Sequence, residues 1–144
     1  MRTALIVAAG LAALLILFTL HTRFVQNPRV EDELESAPLG ERARRVLVLS
    51  LPSGKTIPVN YWIDPGSAER SVVYVASDFF WWREVRGAGA PVEVVLLGRR
   101  RPGHARAIED DPTRRERVYT ELRPKAPKWF GVLVEIVLEP VATP

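Results

Sequence analysis

From Ala4 to Leu20 the chain reads ALIVAAGLAALLILFTL, without a single charge, and the next charged residue is Arg23. No solvated surface of a small domain tolerates such a run. As a helix it rises about 1.5 Å per residue, so it covers roughly 25 Å. The flanking Thr3, His21, Thr22 and Phe24 extend it toward the hydrocarbon thickness of about 30 Å. A cleaved signal would need small residues after the apolar core. Phe18-Thr19-Leu20-His21-Thr22 offers none. The expectation is therefore an uncleaved transmembrane anchor over 1–24, a linker over 25–44 and one folded domain over 45–144. Arg23 and Arg29 on the C-terminal flank, by the positive-inside rule, place the domain on the cytoplasmic side of the cell membrane as a single-pass protein.

The residues after the linker change period. Val46-Leu47-Val48-Leu49 reads as a strand and Pro52-Ser53-Gly54-Lys55 as a turn. Thr56 to Trp62 is a second strand, in which Pro58 marks an edge or a bulge. Asp64-Pro65-Gly66-Ser67 is a turn and Ser71 to Ala76 a third strand. Val92 to Leu97 is a fourth, Gly98 to Gly103 a turn that holds Arg99-Arg100-Arg101, and His104 to Ile108 a fifth. Asp111-Pro112 opens a helix, with Asp111 as cap and Pro112 in the first turn; Pro124 ends it. Gly131 to Leu138 is a sixth strand. Short turns imply antiparallel pairing. The expected fold is mainly β: a six-stranded antiparallel split β-barrel with one helix in its C-terminal half.

Composition narrows the chemistry. There is no cysteine, which excludes thiol catalysis and disulfides, and the two histidines, His21 and His104, lie far apart. Glu109-Asp110-Asp111 reads as a helix lead-in, since neighbours on an extended segment point to opposite faces; no metal is expected. The net charge is +3, and one basic turn without a binding motif falls short of a nucleic-acid footprint. Phe79-Phe80-Trp81-Trp82 puts four aromatics in a row. They cannot all be buried on one face, so the surplus rings are free to stack on a flat ligand, line a substrate mouth or dip into a membrane interface.

Taken in order, SGKTIPVNYW (53–62), YVASD (74–78), WWREVR (81–86), the stretch from Val92 to Tyr119 and the closing Leu138-Glu139-Pro140 resemble the deazaflavin-dependent nitroreductase family. Its relatives are the flavin-binding split barrels of pyridoxamine phosphate oxidase type. The resemblance covers about Arg45 to Pro140. It implies a membrane-anchored oxidoreductase that transfers hydride from a reduced deazaflavin of the coenzyme F-420 type, or from flavin mononucleotide, to a quinone- or nitro-type acceptor. It also implies a homodimer. The coenzyme contacts it implies are Lys55, Thr56, Ile57, Pro58 and Val59, then Val75, Ala76, Ser77 and Asp78, then Trp81, Trp82 and Glu84. In this reading Ser77 donates to a phosphate or ring oxygen, Trp81 walls the pocket and Tyr119 is a candidate proton donor to product. No side chain need act as nucleophile. The family's phosphate-gripping basic residues are reduced here to Lys55, with Asp78 and Glu84 at positions where the family carries a basic residue and Asn. The alternative is a non-catalytic, membrane-tethered barrel that serves as a binding or interaction module.

Overall fold

The structure is a computed structural model that describes residues 2–21 and 27–140, with the side chains of residues 2–5 and 70 outside that description. Residues 22–24 of the expected anchor, 25 and 26 of the linker and 141–144 of the barrel domain also lie outside it. Helix α1 is Arg2–His21 and helix α2 is Asn27–Ser36. Strands β1 (Val46–Ser50), β2 (Thr56–Ile63) and β3 (Val72–Ser77) follow. A 3-10 segment spans Phe80–Val85. Then come β4 (Ala90–Leu96), β5 (Arg99–Ile108), helix α3 (Pro112–Leu122) and β6 (Val132–Leu138).

The six strands close into one antiparallel barrel in the order β1-β2-β3-β6-β5-β4, with β4 returning to β1. Period-two alternation puts one face of each strand inside. Leu47 and Leu49 point inward from β1, Val73 and Val75 from β3, Val134 and Ile136 from β6, all fully buried. A second apolar cluster lies outside the barrel wall, where α3 covers it: Val118 and Tyr119 pack with Tyr74, Ile108 and Leu133. This explains why β3 and β6 carry buried residues on both faces. Asp111 caps α3 as the sequence predicts, its Oδ1 accepting from the Arg114 N–H at 2.9 Å.

Helix α1 exposes apolar side chains from Ile6 to Leu20; among the described residues no helix is long and apolar enough to cross a membrane. Between α1 and the barrel, Leu34 and Ala43 are buried, and the Tyr61 hydroxyl donates to the Ala43 carbonyl at 3.0 Å. One expectation is corrected: Arg99-Arg100-Arg101 is strand, not turn. Arg99, Arg100 and Arg101 pair with Leu96, Val95 and Val94. The turn is only Leu97-Gly98, both at positive φ (49° and 73°), the two-residue geometry whose twist matches flanking strands. Arg100 pairs with Glu93, and Arg101 donates to the Glu139 carbonyl at 2.7 Å. The three arginines are thus held on the β4–β5 ribbon.

A cleft where two strands part

The β2–β3 seam of the barrel does not fully close. β2 and β3 pair only at Tyr61↔Val75, Trp62↔Tyr74 and Ile63↔Val73. In an antiparallel ladder the N–H and C=O of one residue point to the same side, and successive residues alternate. The Tyr61 N–H donates toward β1, to the Arg45 carbonyl, while the Asp64 N–H donates toward β3, to the Val72 carbonyl. Odd residues of β2 therefore face β1, and Pro58 and Asn60 face away from it. By the same count Tyr74 and Ala76 of β3 face β2. The next pair in register is Asn60 with Ala76, and it is not made. Beyond it β3 stays laddered to β6 as far as Ser77↔Val132, and β2 to β1 as far as Thr56↔Ser50. Pro58 sits where its missing N–H costs nothing, since that flank has no strand to donate to.

The gap is the mouth of a cleft of roughly 870 Å³, within the span of about 300–1,000 Å³ usual for small-molecule sites. Ile57, Pro58, Val59 and Asn60 form one wall, Ala76, Asp78 and the 3-10 segment the other, and Leu122 to Ala126 the far side. Trp81 is nearly buried against it, whereas Phe79 and Phe80 stand at its lip, 56% and 71% exposed. Phe18 and Thr19 of α1 also reach this cleft.

Of the residues expected to hold a coenzyme, the cleft gathers Lys55, Ile57, Pro58, Val59, Ala76, Asp78, Trp81 and Glu84. Four lie elsewhere. Thr56 lines a neighbouring hollow with Asn27, Pro28 and Glu31. Val75 is fully buried in the barrel core. Ser77 is 1% exposed, and its hydroxyl donates to the Phe79 carbonyl at 2.5 Å; it ties the chain leaving β3 rather than offering a donor to a ligand. Trp82 packs on the core beneath the Arg83 and Arg86 guanidinium groups, 5.9 and 5.4 Å from its ring, so it leaves the groove open. Tyr119 is fully buried under α3, and its hydroxyl has no hydrogen-bond partner among the described residues. Burial holds its pKa above the ordinary phenol value. It is a core residue, not a donor lining the cleft.

Two carboxylates line the cleft, and each is already engaged. Asp78 accepts a bidentate pair from Arg123, Nη1 at 2.7 Å and Nη2 at 2.8 Å; that bond raises the Arg123 pKa, against the opposing effect of burial. Glu84 accepts from the Ser53 N–H and hydroxyl, both at 3.1 Å. The Ser53-Gly54 turn is thereby fastened to the 3-10 segment, and its donors face a carboxylate of the chain itself. Among the described residues Lys55 and Lys125 make no ion pair, so two free ammonium groups remain on the lining. Sequence reasoning missed Arg123, Lys125 and Asn60. Arg123 lies 45 residues from its partner, and no local pattern announces that pairing.

Among known structures, the chain is similar in fold to a general stress FMN/FAD binding protein from the phytopathogen Xanthomonas citri. The TM-score is 0.51 at 16% sequence identity, covering 76% of this chain and 86% of that one. No family model matches the chain, and no curated protein matches it.

Proposed function

We infer that the cleft binds a flavin-type tricycle and that the chain is an oxidoreductase built around it. The observation that carries this is the parted seam. Past the Tyr61↔Val75 pair the Asn60 N–H and the carbonyls of Ala76 and Pro58 face the gap without a ladder partner among the described residues, and unpaired backbone groups in a partly buried site are costly unless something satisfies them. A flat ring whose edge alternates donors and acceptors does so. Its apolar faces find Ile57, Val59 and Trp81, and Lys55 and Lys125 supply positive charge for an anionic tail. The barrel's likeness to an FMN/FAD binding protein supports the same reading.

When bound, a reduced deazaflavin or flavin supplies the hydride that reduces a quinone- or nitro-type acceptor. The chain's share is positioning and exclusion of water. Trp81 and Ile57 hold the ring plane. Phe79 and Phe80 form an apolar lip through which an acceptor enters. The Asp78–Arg123 pair fixes the lip by joining the end of β3 to the end of α3. Membrane attachment through α1 belongs to this reading, with the barrel on the cytoplasmic side: α1 exposes large apolar side chains from Ile6 to Leu20, and its last turn reaches the cleft. A homodimer stays part of it.

The occupied state of Asp78 and Glu84 favours a second reading, a barrel that binds its ligand without turning it over. Titration with flavin mononucleotide and, separately, with reduced deazaflavin tests binding, followed by quenching of tryptophan emission. A Kd below roughly 100 μM, about 5.5 kcal/mol of binding, is expected for one of the two. No saturable quenching by either rejects both readings; binding without oxidation of the reduced coenzyme by any quinone or nitro acceptor leaves the second.

A further inference from the structure

The cleft's lip continues into a larger apolar surface. Ser77 of β3 pairs with Val132 of β6, which brings the residues just after β3 beside those just before β6. A Cβ placed on Gly131 would lie 2.8 Å from the Ser77 carbonyl oxygen and 2.9 Å from Asp78 Oδ1. Arg123 bridges the two segments: besides holding Asp78, its Nη1 donates to the Phe130 carbonyl at 3.3 Å. Two aromatic pairs are thus fixed side by side, Phe79-Phe80 on one segment and Trp129-Phe130 on the other. Their exposures are 56%, 71%, 76% and 42%. A soluble surface rarely gathers four large aromatics at one end.

The charges around them are cationic. Arg83 lies 4.7 Å from the Phe80 ring centroid. Lys125 and Lys128 precede Trp129 in sequence, and among the described residues Lys128 donates only to the Thr120 hydroxyl. Asp78, the carboxylate beside them, is neutralised by Arg123. Aromatic rings with basic neighbours are what a bilayer interface of anionic headgroups selects. The apolar α1 ends at the same place, since Phe18 shares the cleft with Phe79 and Phe80.

We propose that Phe79, Phe80, Trp129 and Phe130, with Arg83, Lys125 and Lys128, form a docking face for an anionic lipid bilayer, so that the cleft opens onto the membrane. The barrel itself, not only α1, touches lipid, and an acceptor dissolved in the bilayer reaches the cleft without crossing water. This rests on the membrane attachment proposed above but not on the identity of the coenzyme.

The native chain has no cysteine, so single sites can be labelled. The full chain carrying Phe80→Cys, Trp129→Cys, Leu14→Cys or Ala68→Cys is labelled with nitrobenzoxadiazole. It is then mixed with vesicles of phosphatidylcholine with or without phosphatidylglycerol. Ala68 precedes β3, at the other end of that strand from Ser77. Labels at 80 and 129 should shift to the blue with phosphatidylglycerol, and the shift should weaken at about 1 M salt, where the screening length falls to about 3 Å. The label at 68 should stay wet. If 80 and 129 stay wet while 14 enters lipid, the docking face is wrong and attachment through α1 stands. If 14 stays wet too, the membrane reading itself falls. Burial of the labels at 80 and 129 without vesicles, growing with protein concentration, would mean a second copy covers this face and would also overturn the proposal. The unmodified chain gives a check free of labels: brominated phosphatidylglycerol should quench its tryptophan emission, and Trp129→Phe should remove most of that quenching. Equal quenching with and without Trp129 contradicts the docking face.

Discussion

Gly131 shows how one residue without a side chain holds the site together. It has φ of +77°, and an added Cβ would meet Ser77, Asp78 and Arg123 within 3.0 Å. Gly131→Ala therefore strains the backbone and pushes apart the Asp78–Arg123 pair. The expected loss is about 1–3 kcal/mol, read as a lower urea midpoint. Tyr119 behaves oppositely. Among the described residues its buried hydroxyl makes no well-aligned hydrogen bond, although the Arg123 guanidinium lies 5.4 Å from its ring, so Tyr119→Phe removes a desolvated polar atom and should leave stability at neutral pH within about 0.5 kcal/mol of wild type. Burial raises the folded-state pKa of Tyr119. The unfolded chain then gives up this proton first. Its contribution is intact below about pH 10 and is lost as pH rises through the folded value. Unfolding curves of Tyr119→Phe should fall less steeply than wild type above that pH; identical slopes would show that Tyr119 ionises freely in the fold.

Among the elements, α3 carries the part of the site that lies farthest from the rest in sequence. Its N-terminus is held by the Asp111 cap, and the guanidinium just past its C-terminus holds Asp78. Asp111→Ala should cost about 0.5–2 kcal/mol, visible as a lower melting temperature. The strands and this cap were legible in the sequence because each depends on its own period or its own turn residues. The start of β5 was not. A run of three arginines followed by Pro-Gly reads as a loop, yet a two-residue turn at Leu97-Gly98 draws them into the ladder. The same limit applies to the cleft. Its wall along β2 and the end of β3 could be read locally, from Pro58 and the VASD segment. Arg123 and Lys125 enter through strand and helix packing, and Ser77, Val75 and Trp82 leave it because the pleat and the 3-10 turn direct them elsewhere.

At the scale of the whole molecule the barrel is a closed wall whose β2–β3 seam is laced only in part, and the unlaced backbone is what a ligand must satisfy. The most direct test is the change in backbone amide resonances when flavin mononucleotide is added to the isotope-labelled chain in lipid nanodiscs. The amide of Asn60 should move most and gain protection from exchange, and those of Ala76, Ile57, Val59, Asp78 and the 3-10 segment should shift with it. Saturable binding with its shifts on the β4–β5 ribbon, or on any face away from Asn60 and Ala76, would contradict a coenzyme seated in the seam.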